Sequence, residues 1–124
     1  GATAIGARPF LIAYNVNLAT DDVQIAKEIA KVVRERGGGL PGVKALGFEL
    51  KDRGIVQVSM NLTNYRVTNI PKVFEFIREE AHKRGVEVAE SEIVGLIPLG
   101  VLEEIAQSYL KYPDFSIRQP FEGK

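Results

Sequence analysis

Two stretches of alternating residues constrain this chain more than anything else in it. In Gly6 to Asn17, GARPFLIAYNVN, the residues Phe10, Ile12, Tyr14 and Val16 fall on one face of an extended strand, and Leu11, Ala13, Asn15 and Asn17 on the other. Ile55 to Asn61, IVQVSMN, repeats the construction, with Val56, Val58 and Met60 opposed by Gln57, Ser59 and Asn61. Strands with one apolar and one amide-rich face predict a sheet that buries one side beneath helices. The other side is left for water, a ligand or a further module.

A chain of 124 residues is read as a single domain, large enough to bury a core without metal or disulfide staples. Cysteine is absent, which excludes disulfides, zinc–thiolate sites and thiol chemistry and fits a reducing compartment. Lysine plus arginine equal aspartate plus glutamate at 16 each, a balance that argues against a dedicated nucleic-acid or anionic-membrane binder. No apolar run approaches the roughly 20 residues of a membrane span, and no signal-peptide pattern is present. The expectation is a soluble, cytoplasmic chain. It begins at Gly1 without an initiator methionine, as a piece of a longer protein would.

In chain order, Arg8 to Leu18 reads as a first strand. Thr20, Asp21 and Asp22 offer cap oxygens, Asp21 and Gln24 have capping-box spacing, and a helix is predicted from there to about Arg36. Ile25, Ile29, Val32 and Val33 form its inner stripe, while Lys27, Glu28, Lys31, Arg34 and Glu35 lie outside. The run Gly37 to Gly42, GGGLPG, is a connection rather than a phosphate loop, since no helix follows it. Val43 to Leu50 and Gly54 to Leu62 make a hairpin around a turn at Lys51 to Gly54. Pro71 opens a second helix capped by Thr68 or Asn69, with Ile70, Phe74, Ile77 and Ala81 inward and Gly85 at its end. A fourth strand lies within Val86 to Ile97. Leu99 to Leu110 forms a last helix with Leu102, Ile105, Ala106 and Tyr109 inward, terminated by Tyr112 and Pro113.

Strand, helix, strand, strand, helix, strand is the split βαβ order. It predicts an α+β, ferredoxin-like βαββαβ fold: a four-stranded antiparallel sheet with helices on one face, plus an extra C-terminal helix. The first and third strands are then the central pair. Asn15, Asn17, Gln57, Ser59 and Asn61 lie side by side on the face without helices, where they either meet a ligand or partner or are simply solvated.

Three blocks in this order, GARPFLIAYNVNL, QVSMNLTNY and SEIVGLIPLGVL, carry a resemblance that covers about Gly1 to about Leu110. The chain resembles the C-terminal subdomain of the glutamate formiminotransferase (formimidoyltransferase) family, as found also in formiminotransferase-cyclodeaminase. The resemblance implies transfer of a formimino group from N-formimino-L-glutamate to tetrahydrofolate in histidine degradation, part of one-carbon metabolism. It implies folate as co-substrate, lying in a channel between two ferredoxin-like halves, and homodimerisation. The family's general base is a histidine of the N-terminal subdomain, which these residues do not include. No catalytic residue is therefore assigned here, and the chain alone is expected to be inactive.

The resemblance places Arg8 in the GAR motif at the start of the first strand. Donor and folate both carry carboxylates, so a channel between halves needs fixed cations, and Arg8 is taken as a ligand-binding residue over a surface ion pair. Asn15, Asn17, Gln57, Ser59 and Asn61 are candidates for lining the channel or the contact between halves, with a structural role as the alternative. His82, the single histidine, sits late in the second helix and reads as a surface residue. Val94 to Pro98 reads as a strand-to-helix corner. No metal-ligand cluster, paired carboxylate site or GxSxG motif is present.

Other users of this fold fit less well. RNA-recognition modules stack bases on aromatic residues of the central strands, and Leu11, Ala13, Asn15, Gln57, Ser59 and Asn61 are not aromatic. An acylphosphatase-like enzyme needs an arginine after the first strand, where Leu18 to Asp22 is acidic. The alternative that stays open is a non-catalytic ferredoxin-like domain for small-molecule sensing or dimerisation.

Overall fold

The computed structural model describes residues 11–95 and 97–110. The elements are β1 (Ile12–Leu18), α1 (Val23–Val33), β2 (Val43–Leu50), β3 (Ile55–Leu62), α2 (Ile70–Lys83), β4 (Val88–Val94) and α3 (Leu99–Leu110), with a single 3-10 turn at Glu35–Gly37. The strands form one four-stranded sheet in the order β2-β3-β1-β4. Every neighbouring pair is antiparallel. This is the α+β ferredoxin-like arrangement expected from the element order, with β1 and β3 at its centre.

The alternation in β1 and β3 does what period two requires. Ile12, Tyr14, Val16 and Leu18 from β1 and Val56, Val58, Met60 and Leu62 from β3 are all buried, and they pack against Ile29 and Val33 of α1 and Val73, Ile77 and Ala81 of α2. Each such aliphatic side chain withdrawn from water stabilises the fold by about 1.5–3 kcal/mol before the entropy of ordering is subtracted. The strand predicted from Arg8 starts at Ile12, and Arg8 itself lies outside the described residues.

The first helix starts on one of its three expected cap residues, and it differs from expectation at its C-terminal end and in its rotation. Its cap is Asp22, whose carboxylate accepts from the Gln24 N–H at 3.0 Å, so the Asp21 capping box does not form. Thr20 Oγ1 accepts from the Asp22 N–H instead. The buried stripe is Ala26, Ile29, Ala30 and Val33, and Val32 faces outward. Two alanines in that stripe let the helix backbone lie directly on Gly47 of β2, where an added Cβ would stand 2.5 Å from the Ala26 carbonyl carbon. Backbone contact this close selects the small residues and turns Val32 and Ile25 away from the centre of the interface.

The helix ends at Val33, not near Arg36. The Gly39 and Leu40 N–H groups reach the Arg34 and Val33 carbonyls at 2.8 and 3.0 Å, and Gly37 N–H also takes Arg34 O at 3.0 Å. A Cβ on Gly39 would lie 2.3 Å from Val32 O, so only glycine lets the connection fold back onto the helix end. The glycine run thus satisfies carbonyls, and β2 follows it directly.

Helix α2 is capped by Asn69, whose Oδ1 accepts from Lys72 N–H at 2.9 Å, with Pro71 in the first turn. Of its expected inner stripe Ile70, Ile77 and Ala81 are buried, Phe74 is only half-buried, and Val73 is buried in addition. The last helix runs over the expected Leu99–Leu110, but of the residues expected inward Leu102 and Tyr109 are exposed, and Val101 is the buried one. The cause is that α3 leans on α2 rather than on the sheet. Tyr109 meets Phe74 edge-on at 6.1 Å and its hydroxyl donates to Glu75 Oε2 at 2.8 Å, leaving a cleft of about 390 Å³ between Tyr14, Ile93 and Ile105. Tyr112 and Pro113, the expected terminators, lie outside the described residues. Among the described residues no helix is long and apolar enough to cross a membrane.

Candidate functional site on the helix-free sheet face

Register arranges the open face as three rows across the sheet. Phe48, Gln57, Asn17 and Glu90 form one row, Leu46, Ser59, Asn15 and Glu92 the next, and Lys44, Asn61, Ala13 and Val94 the third. All five candidate amides and hydroxyls therefore share one face, and edge strands β2 and β4 add residues that the sequence reading had not placed there.

The first row is closed upon itself. Gln57 Nε2 donates to Asn17 Oδ1 at 2.9 Å, Asn17 Nδ2 donates to Glu90 Oε2 at 2.8 Å, and the Arg53 guanidinium, from the β2–β3 turn, pairs with the same carboxylate. The Arg53 hydrogen bond, followed by that from Asn17, holds the Glu90 carboxyl below its ordinary range. Asn17 and Gln57 are 3% and 6% exposed. These two satisfy each other in a buried pair, the structural role that stands as the alternative to lining a channel.

The second row is more accessible. Asn15 and Ser59 are half-buried, and Asn15 Nδ2 donates to the exposed Glu92 at 3.0 Å. Leu46, Phe48 and Val94 stand exposed around this polar centre at 65%, 40% and 50%. Phe48 is an aromatic on the open face, but it belongs to edge strand β2 and not to the central pair. Apolar residues around hydrogen-bonding groups are the pattern common where protein surfaces meet a ligand or partner.

At the β2 edge this face continues into a cleft of about 540 Å³ lined by Arg34, Arg36, Lys44, Ser59 and Asn61, with Val43, Ala45 and Leu46. The sequence pattern puts Arg34 on the outer side of the first helix and assigns Arg36 and Lys44 no role. The early helix end and the fold-back at Gly39 bring the arginines beside β2, which helical periodicity alone does not show. His82 lies elsewhere, exposed at the end of α2 with Nδ1 3.9 Å from Glu87 Oε2.

Residues 13–120 match the family model described as Formiminotransferase domain. This chain belongs to the formiminotransferase domain family. It is 54% identical over 124 residues to a glutamate formimidoyltransferase of Thermoplasma acidophilum, covering 100% of this chain and 41% of the relative. It is 48% identical to a glutamate formimidoyltransferase of Streptococcus pyogenes (93% of this chain, 38% of the relative) and 42% identical to a formimidoyltransferase-cyclodeaminase of Mus musculus (88% and 21%). The chain thus spans well under half the length of these relatives, and each of them contains further polypeptide. Arg8 precedes both the described residues and the matched segment.

Proposed function

We propose that this formiminotransferase domain is the folate-binding half of a transferase that moves a formimino group from N-formimino-L-glutamate to tetrahydrofolate in histidine degradation. In this reading it is the C-terminal subdomain. A second, N-terminal subdomain closes over the helix-free face and supplies the general base, and the whole enzyme is a cytoplasmic homodimer that uses tetrahydrofolate as co-substrate. The observation that carries the reading is the second row of that face, where Asn15, Ser59 and Glu92 present donors and a carboxylate inside an apolar border.

The chemistry asks for such groups. An acceptor nitrogen forms a bond to the amidine carbon as the bond from that carbon to the glutamate nitrogen breaks, and a proton passes from the acceptor nitrogen to the departing one. Amide and hydroxyl groups orient the reacting partners by hydrogen bonds, a carboxylate such as Glu92 accepts from an amidine N–H, and Arg8 is assigned to a substrate carboxylate.

The test is folate titration by calorimetry of the 124-residue chain, and of the same chain joined to the remaining part of the Thermoplasma acidophilum relative. Weak or undetectable binding by the chain alone, with micromolar binding and formimino transfer by the joined protein, is the expected outcome. Micromolar folate binding by the chain alone overturns the half-site reading, and a joined protein that folds but transfers nothing overturns the reaction.

A further inference from the structure

We propose that residues 115–119 form a fifth strand, paired in parallel with the free edge of β4, whose apolar side chains close the cleft between α3 and the sheet. Residues 111–124 lie outside the described residues, and the family match runs on through residue 120. The segment up to that point therefore belongs to the domain.

The cleft is open on its β4 side. Tyr14, Ile70, Phe74, Ile93, Ile105 and Tyr109 wall a volume of about 390 Å³, and such apolar walls offer water few partners. Ile93 is half-buried and Ser91 exposed, although both lie on the helix side of β4 and their register partners Tyr14 and Val16 are buried. Strand β4 has β1 on one side and, among the described residues, no strand on the other. An edge of this kind presents a row of N–H and C=O groups to a further strand.

The direction of α3 decides how a strand fits there. Asn69 Nδ2 donates to Glu104 Oε2 at 3.3 Å at the start of α2, and further along both helices the Tyr109 hydroxyl donates to Glu75 Oε2 at 2.8 Å. The two helices therefore run the same way. Strands β3 and β4 are both antiparallel to β1 and hence parallel to each other, so α2, which joins them, runs opposite to β4, and α3 does too. A chain leaving α3 heads towards the end of the sheet where β4 begins. Laid down beside β4 from there, it repeats the β3–α2–β4 unit with the same right-handed crossover.

The sequence supplies such a strand. Pro113 cannot continue α3, and residues 111–114 make a connection within the roughly two to six residues usual between helix and strand. Phe115, Ser116, Ile117 and Arg118 then alternate apolar and polar, and Pro120 bounds the run. With Phe115 and Ile117 on the side of Ile93, they cover the cleft beside Ile105 and Tyr109. Ser116 and Arg118 fall on the opposite face, where they extend the rows that end in Glu90 and Glu92 and set a cation beside two carboxylates. None of this depends on the reaction proposed above.

The experiment is NMR of the isotope-labelled 124-residue chain. Cross-peaks from the Phe115 ring to the Ile93 and Ile105 methyls, backbone cross-peaks of parallel pairing between β4 and residues 115–119, and slowed amide exchange in that segment are expected. Phe115→Ser is expected to displace those methyl signals and to lower the melting temperature by about 5 °C or more, whereas Ser116→Ala, on the other face, does neither. Amides of residues 115–119 that exchange at unfolded-chain rates, antiparallel cross-peaks, or equal effects of the two variants overturn the proposal. Methyl shifts that change on dilution show a second copy in the cleft and overturn it as well. Should Phe115→Ser fail to fold, the cross-peaks of the parent chain decide alone.

Discussion

Gln57 donates its side-chain amide to Asn17 at 2.9 Å, and the two, directly opposed in the β3–β1 register, form a buried polar pair on the sheet face that carries no helix. Asn17 passes the chain on to Glu90, which Arg53 holds from the β2–β3 turn. A row of side chains thereby ties three strands and a turn together on the side opposite the core.

Removing one member of the pair leaves the other buried without a partner. Asn17→Ala is expected to destabilise the domain by about 1–3 kcal/mol. Replacing both at once, with Asn17→Leu and Gln57→Met, is expected to stay within about 1 kcal/mol of the parent, because no unsatisfied group remains. Urea unfolding midpoints of the single and double variants check the asymmetry, and additive losses would show that the pair is not coupled.

The Arg53–Glu90 contact gives a pH dependence of definite sign. Glu90 titrates below its unfolded value in the folded domain, so its contribution is fully present above the unfolded carboxylate range and is lost as pH falls through the lowered folded value. Arg53→Gln is expected to move the Glu90 midpoint up and to flatten the loss of stability below about pH 4. Carboxyl-carbon titration by NMR reads the first effect. Added salt should shrink both, since the pair is exposed.

Gly47 is a packing position. Its missing Cβ is replaced by the backbone of Ala26 and Lys27, with contacts of 2.5–2.6 Å for any side chain put there. Gly47→Ala is expected to cost about 2–4 kcal/mol by pushing α1 off the sheet, whereas Gly38→Ala, with open space around it, is expected to cost about 1 kcal/mol for its left-handed backbone. Thermal melts rank the two, and equal losses would count against direct helix-on-strand contact.

For the activity proposed above, Arg8→Ala in the joined enzyme is expected to lower kcat/KM about 10–100-fold, the equivalent of one charge-assisted hydrogen bond, with an unchanged melting temperature. A large fall in melting temperature would instead make Arg8 structural. Asn15→Ala is expected to lower transfer as well while leaving the buried Asn17–Gln57 pair, and hence the urea midpoint, nearly intact.

Much of this was readable from the residues themselves. Alternation in Ile12–Leu18 and Ile55–Leu62 reports which side chains meet the core, because successive side chains of a strand must point opposite ways whatever they pair with. Element order then restricts the topology, and Leu99–Leu110 and Val43–Leu50 were found at their expected limits. Periodicity was weaker where backbone approach, rather than side-chain polarity, chose the buried stripe, as at Ala26 and Ala30 of α1.

What the amino-acid order determined by itself, then, was local: two faces per strand, the helix-forming segments, and a chain rich enough in apolar residues to bury one side of its sheet. Only the tertiary structure decided that Gln57 meets Asn17 forty residues away, that Arg53 reaches Glu90, and that Arg34, Arg36 and Lys44 share one cleft. Those relations depend on strand register and on where α1 stops. Both are set by hydrogen bonds and close backbone contacts between segments distant in sequence, which no pattern within a single segment encodes.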